Sequence, residues 1–285
     1  MDTNTRIRVI IHCRGAGADL FRTLISLACQ TVGSQCLHVV LASTAPQDHL
    51  SGEAKLLHDS LGFKSLDVQD ARGAHHTKAL NTAVLGGQED IIALVPEGAR
   101  LSPRFVSSCL PALEQKQAQA AFPTHTAGSP DKTPFARLLP FSSEQLTRFN
   151  PVGPVTLVRR KAWEEMGGLR PDVQLAMWDF WLRLALAGGV ITRVPELLAF
   201  CPPLHKLPPW QDGQAKALLV IASHGAFEAS VCRWALALLR GEAWASPFAT
   251  GLIPNPREVQ SMFAGLPAAP PPGPWNWNGT DIRTA

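Results

Sequence analysis

Residues 90–105 read DIIALVPEGARLSPRF, and the fold turns on how this stretch is read. Ile91, Ile92, Ala93, Leu94 and Val95 are apolar without alternation, the pattern of a strand covered on both faces. Pro96 has no N–H to donate and ends the ladder. Glu97 stands just beyond the strand, beside Gly98, which frees the backbone. Ser102-Pro103 has the form of a helix start, with Ser102 as N-cap and Pro103 at the first helical position. One acid is thereby placed at the carboxyl end of a buried strand. In open α/β sheets, ligands bind along that edge.

Working outward, the same rhythm recurs. Residues 7–12 (IRVIIH) predict a strand, and 37–42 (LHVVLA) a second. A helix is expected from Leu20 to about residue 31, capped by Asp19 with Leu20, Leu24, Leu27 and Ala28 on one face. Residues 52–60 predict a helix, 63–68 a weaker strand, and 77–85 a helix closed by Gly86-Gly87. A further helix is expected over about 103–119. Strand and helix in alternation give an α/β fold, a mostly parallel sheet with helices on both faces. Residues 120–154 read as irregular. A strand at 155–158, a helix at 160–166 closed by Gly167-Gly168, a helix at 178–187 and a strand at 190–194 follow. The proline-dense 201–212 reads as a boundary. It separates residues 1–200 from 201–285, an extension that is helical over 214–239 with a break at Gly225. From Gly241 a Pro/Trp-rich tail is expected, with PAAPPPGPWNWNGT extended.

The bulk numbers exclude several classes. The chain has 285 residues, 46% hydrophobic and 17% charged, which supports a substantial core. A net charge of +3 without a Lys/Arg run argues against nucleic acid as a partner. The first residues, MDTNTRIR, have no apolar core of a signal peptide, and no apolar window reaches transmembrane length. Cysteines at 13, 29, 36, 109, 201 and 232 form no CxxC pair and read as reduced, mostly buried thiols of a cytoplasmic protein. Gly15-Ala-Gly17 approaches the dinucleotide fingerprint. However, its third position is Leu20, and the second strand ends in Leu41-Ala42-Ser43 with no acid for a ribose, so a dinucleotide fold is disfavoured.

Four segments carry a different resemblance. They are VIIHCRGAGADLFRTLISLACQT (9–31), HTKALNTAV (76–84), DIIALVPEGARLSPRFV (90–106) and LVRRKAWEEMGGLRPDVQLAMWDFWLRLALAGGVITRVPELLAF (157–200). In order and spacing, the chain resembles a family 2 glycosyltransferase of the GT-A fold. The match spans about residues 6–200 and includes a KxxALN-type helix and the frame of the family's "EDwdlwlR" segment. The resemblance implies sugar transfer from a nucleotide-sugar donor to a hydroxyl of a glycan or lipid-linked acceptor, with a divalent cation, Mg²⁺ or Mn²⁺, on the diphosphate.

The acids of that family are mostly replaced. The positions of the second strand that hold uracil or ribose are Leu41, Ala42 and Ser43. The metal-binding DxD falls on Val95-Pro96-Glu97, leaving Glu97 as its surviving metal or diphosphate ligand. The catalytic base falls on Met177 and the acid before it on Ala176. Asp179 is the one acid left near the base position; the alternative for it is a first-turn acid complementing the helix dipole. By the same resemblance Lys78, Asn81 and His76 are donor-binding candidates, with His75 beside His76 as possible charge at a diphosphate. Trp178 and Trp181 read as core residues or sugar-stacking platforms, and Arg183 as an ion-pair partner. Arg159, Arg160 and Lys161 read as a solvated helix start. Two functional readings follow: a glycosyltransferase with an atypical site, or a catalytically inactive pseudoenzyme that acts as a binding or assembly module. In the second, a protein partner would dock through the C-terminal region. A nucleotidyltransferase on a similar fold is a third reading, opposed by WDFWLRLALAG.

Overall fold

The computed structural model describes residues 5–13, 17–44, 47–115, 117–127, 141–202, 207–249 and 251–265. The chain forms two compact units. The first comprises Met1–Thr133, Val152–Leu169 and Gly189–Pro203; the second comprises Pro134–Pro151, Arg170–Gly188 and Leu204–Ala285.

The first unit is built on one sheet. Its strands are β1 (Ile7–Cys13), β2 (Leu37–Ser43), β3 (Ser65–Asp70), β4 (Ile91–Leu94), β5 (Arg100–Leu101), β6 (Ala120–Ala127), β7 (Thr156–Arg159) and β8 (Ile191–Cys201), in the order β3-β2-β1-β4-β7-β6-β8-β5. The first four strands are parallel, β7 and β5 run opposite to their neighbours, and β6 and β8 are parallel to each other. Each of β1, β2 and β4 lies between two partners. Their apolar runs are accordingly buried: Ile7, Val9, Ile10, Ile11, Leu41, Ile92 and Ala93 show almost no exposure.

The helices of this unit are α1 (Ala18–Ala28), α2 (Gln47–Leu61), α3 (His76–Leu85), α4 (Phe105–Gln115) and α5 (Arg160–Glu165). α1 buries Leu20, Thr23, Leu24 and Leu27, one stripe at helical spacing. Its N-cap is Gly17, not the expected Asp19. Asp19 sits in the first turn and pairs with Arg22 at 2.9 Å.

Three elements depart from the sequence reading. Residues 120–127 form β6 within a stretch expected to be irregular. β6 pairs with β7 only at Ala120 and Ala121, so Pro123 sits where the β7 side of the strand has no ladder to break, and the register on β8 shifts just after it. β8 runs on to Cys201 because β6 and then β5 continue to pair with it. β5 itself follows the 97–98 turn and was not expected. Arg159 and Arg160 are also not a solvated helix start. Arg159 donates to the carbonyls of Ala118 and Leu113, and Arg160, 8% exposed, to those of Glu89 and Val84.

Cys13, Cys109 and Cys201 lie in the core of this unit. Burial pushes the Cys109 thiol up to about 12, with the Glu196 charge adding to it, and burial does the same for Cys201.

The second unit is helical: α6 (Ala176–Leu186), α7 (Pro209–Ala222), α8 (Ala229–Leu239) and α9 (Pro256–Phe263). α7 opens with Pro209 at its first position, and the chain breaks at the 3₁₀ turn His224–Ala226, where Gly225 was expected to interrupt it. Trp178 and Trp181 are core residues, 6% and 0% exposed, and the Trp178 Nε1–H donates to the Leu146 carbonyl at 2.7 Å. Lys216 is fully buried. It pairs with Asp212 at 2.7 Å and donates to the carbonyls of Ala249 and Leu252. The region after Gly241 is not wholly a tail, because Asn255 and Glu258 form a capping box that starts α9, and Arg148 pairs with Glu258. The PAAPPPGPWNWNGT segment lies outside the described residues. Among the described residues no helix is long and apolar enough to cross a membrane.

Candidate functional site

The carboxyl ends of β1, β2 and β3 are level, with Cys13 opposite Ser43 and Ser43 opposite Asp70. β4, on the other side of β1, ends at Leu94, and Val95 still bonds to Ile10. Beyond it, the Ala99 N–H returns to the Pro96 carbonyl at 3.1 Å, while Gly98 has φ +85°. That is the geometry of a turn with a left-handed third residue, which Gly supplies without strain. The Gly98 N–H donates to Thr23 Oγ1 at 2.9 Å and fixes the turn against α1. Glu97 is therefore carried, half-buried, at the tip of an anchored turn beyond β4, as the sequence placed it. The DxD position two residues earlier, Val95, is 3% exposed and part of the core.

α3 brings the second set of groups. Its C-terminal carbonyls are met by guanidinium groups: Arg8 Nε donates to the Ala83 carbonyl at 2.6 Å and Arg160 Nη1 to that of Val84 at 2.7 Å. Gly87 is needed there, since a Cβ would lie 2.2 Å from Glu89 Oε2 and 2.3 Å from Arg8 Nη1. The helix is also clamped along its side. Asn81 Nδ2 donates to the Leu169 carbonyl at 2.8 Å and Asn81 Oδ1 accepts from the Leu169 N–H at 2.9 Å. The Asn81 amide thus acts on protein backbone.

Held in this way, the first turn of α3 lies at the carboxyl end of the sheet. His75, its N-cap, stacks on His76 with ring centroids 4.3 Å apart, and His76 meets His12 of β1 edge-on at 6.3 Å. His75 Nδ1 lies 2.9 Å from Thr77 Oγ1. Burial lowers the His76 pKa to about 4, with His75 and His12 each adding to the shift. Lys78 is exposed on the same turn. His12 was not singled out from the sequence, although it is the one ionisable side chain near the carboxyl end of an otherwise apolar strand. Asp70 and Arg72 were also passed over; they close on each other at 2.7 Å at the end of β3.

Asp179 lies in the second unit, in the first turn of α6, and has no solvent exposure. It accepts from Arg170 Nε at 2.9 Å and from a second Arg170 nitrogen, from Arg183 Nε at 2.9 Å, and from Ser223 Oγ at 2.9 Å. Burial alone would raise its pKa. The hydrogen bonds from Arg170 and Arg183, the Arg183 charge and the Ser223 hydroxyl outweigh burial, and the carboxyl is held below the usual range.

Among the described residues no three His, Cys, Asp or Glu side chains are grouped so as to hold a metal ion. With Val95 in the core and Pro96 between, Glu97 is a lone carboxylate. Asp19, whose Cβ is 3.6 Å from where a Gly98 Cβ would stand, is turned onto Arg22. This donor set does not fit a protein-held divalent cation.

No protein-family model matches the chain, and no curated protein matches its sequence. Solved structures do match. Staphylococcus aureus TarS 1–349 in complex with UDP-GlcNAc aligns with TM-score 0.63 at 11% identity, over 81% of this chain and 70% of that one. The mannosyltransferase PcManGT of Pyrobaculum calidifontis, solved with GDP-Man and Mn²⁺, aligns at 0.58 and 15% identity over 91% and 79%. GalNAc-T7, solved with UDP, GalNAc and Mn²⁺, aligns at 0.59 and 12% identity; the chain spans about half of it, 52%. These are GT-A proteins, and the GT-A fold is the fold of this chain.

Proposed function

We propose that this chain is a nucleotide-sugar-binding glycosyltransferase of the family 2 type. In this reading the donor diphosphate lies along the carboxyl ends of β1 and β4, and the acceptor is a hydroxyl of a glycan or lipid-linked sugar. The observation that carries it is the convergence of His12, His75, His76 and Lys78 on the edge where open α/β sheets take ligands. The fold it shares with proteins solved with UDP-GlcNAc and GDP-Man supports it. Lys78 and His76 would face phosphate, and Glu97 would face the diphosphate or the sugar at the tip of its turn. Asn81 would act as a positioning residue by holding α3. Any Mg²⁺ or Mn²⁺ would arrive with the diphosphate, with Glu97 as its one protein carboxylate.

A second reading is favoured by Asp179. An inverting transfer needs a carboxylate to take the acceptor proton, an effect of about 10²–10⁴-fold. Asp179 is committed to two arginines and a serine, and Met177 has no basic atom. That pattern supports a donor-binding module without turnover, with a protein partner as its target.

Calorimetric titration with UDP-GlcNAc and GDP-mannose, with and without Mn²⁺, tests the proposal. We expect one donor to bind, and Lys78→Ala to weaken it about tenfold, the loss of one charge-assisted phosphate contact. Folded protein that binds neither donor would sink the reading. Donor binding without sugar release or transfer would select the second one.

A further inference from the structure

We propose that His12, His75 and His76 form an imidazole seat for a diphosphate that takes up a proton as the ligand binds, so that the affinity for a nucleotide-sugar rises as pH falls. The inference rests on the donor-binding reading above and goes beyond it in naming what replaces the cation and how the site responds to pH.

The geometry comes first. Three imidazoles from two elements meet at one point of the sheet edge, His76 between the other two at 4.3 and 6.3 Å. Rings this close oppose one another's protonation. Surface histidines satisfied by protein usually have a carboxylate or carbonyl in front of them. Here the groups facing His76 among the described residues are of the opposite kind. From β1 it meets His12, and from its own helix His75 and Lys78. The last three residues of β2, against which α3 also packs, are Leu41, Ala42 and Ser43, none ionisable. At the end of β3, Asp70 is bound by Arg72 through both oxygens, at 3.0 and 2.7 Å. Glu97 stands beyond β4, across β1 from β2. The cluster therefore lacks a matching anion of its own and holds His76 neutral through burial and its neighbours.

A diphosphate supplies that anion. Two negative charges placed against the rings reverse the balance that keeps His76 neutral. Its proton affinity rises in the complex, and by linkage the ligand binds more tightly wherever the complex holds more protons than the separate partners. The window opens below the pKa reached in the complex and closes near 4, the value in the unliganded protein. Within it, uptake of one proton corresponds to about a tenfold gain in affinity per pH unit. The proton comes from solvent and returns there on release; no bond to the ligand is made or broken. The two phosphates of a sugar nucleotide are diesters that stay ionised across this range, so the pH slope reports the protein.

The test is calorimetry with UDP-GlcNAc and GDP-mannose at pH 8, 7, 6 and 5.5, in the presence of a chelator. Each titration is run in two buffers of different ionisation heat. We expect binding that tightens at least threefold from pH 7 to 6 with measurable proton uptake, and a flat profile in His76→Gln. In the unmutated protein, His76 ring shifts moving to the imidazolium position on ligand addition give the same answer without a variant. Binding that is flat with pH, that strengthens as pH rises or that requires Mn²⁺ overturns the seat while leaving donor binding intact. No binding of either donor at any pH, with or without Mn²⁺, overturns donor binding and the seat with it.

Discussion

The two ends of the sheet handle charge in opposite ways. At the amino end, Glu89 receives Arg8 at 3.5 Å, Arg160 at 3.5 Å and His38 at 3.4 Å, and all four groups are nearly buried. The two guanidinium groups go on to satisfy the carbonyls that end α3. At the carboxyl end, three imidazoles and a lysine of like potential charge are gathered on one helix turn and one strand end. A buried charge without a partner is expensive, so the matched end is architecture. The unmatched end is affordable only because it is part-exposed, and it is where a ligand of opposite charge belongs.

The matched pattern recurs in the second unit, and breaking it there should have the largest effect. Asp179→Asn leaves Arg170 and Arg183 facing a neutral amide, and we expect a loss of about 4 kcal/mol in denaturant unfolding. A variant that keeps its stability and loses only transfer activity would instead make Asp179 the base. Glu89→Gln should cost about 3 kcal/mol, by leaving Arg8 and Arg160 buried without their carboxylate. Full stability in that variant would dissolve the contrast between the two ends.

Acid should act next. His125 of β6 is 7% exposed, and burial holds its pKa near 4, with Arg193 adding to the shift against a backbone hydrogen bond at Pro123. The unfolded chain protonates the same ring near 6.5. Stability contributed by neutral His125 is thus complete above pH 6.5 and lost as pH falls towards 4, up to about 3 kcal/mol. Urea midpoints that do not fall between pH 7 and 4 would contradict it. Asp179 extends this trend to lower pH, since its depressed carboxyl keeps its contribution until the pH drops below the usual carboxylate range. The smallest effect is expected at the ligand edge itself. Glu97→Gln should change stability by less than about 0.5 kcal/mol, as a turn-tip residue outside the core, while altering nucleotide-sugar binding. A large destabilisation would reassign Glu97 to the framework.

How far the sequence could be read follows from these placements. β1, β2 and β4 announce themselves because strands covered on both faces are apolar throughout, and the Gly86-Gly87 and Gly167-Gly168 stops mark real helix ends. β6 escaped because its second half is Pro, Thr and His, paired on one side only, so neither alternation nor a continuous apolar run appears. β5 is two residues long and exists through its pairing with β8, a contact remote in sequence. The site was half legible. Glu97 follows from Pro96 and Gly98, whereas the tie of Asn81 to Leu169 and the apposition of His12 and His76 join residues 88 and 64 positions apart. Arg159 and Arg160 looked solvated because a basic pair at a helix start usually is; only the carbonyls they reach show otherwise.

The buried thiols give the sheet an internal clock. Cys109 and Cys201 are out of solvent and, with pKa values near 12, almost never thiolate. An alkylating reagent that consumes the exposed Cys29 at once must wait for the first unit to open before it reaches either one. The rate of their modification, followed by mass spectrometry in the absence of denaturant, would therefore time the opening of the sheet. If nucleotide-sugar binds to the same unit, the ligand should slow that clock by the factor 1 + [L]/Kd.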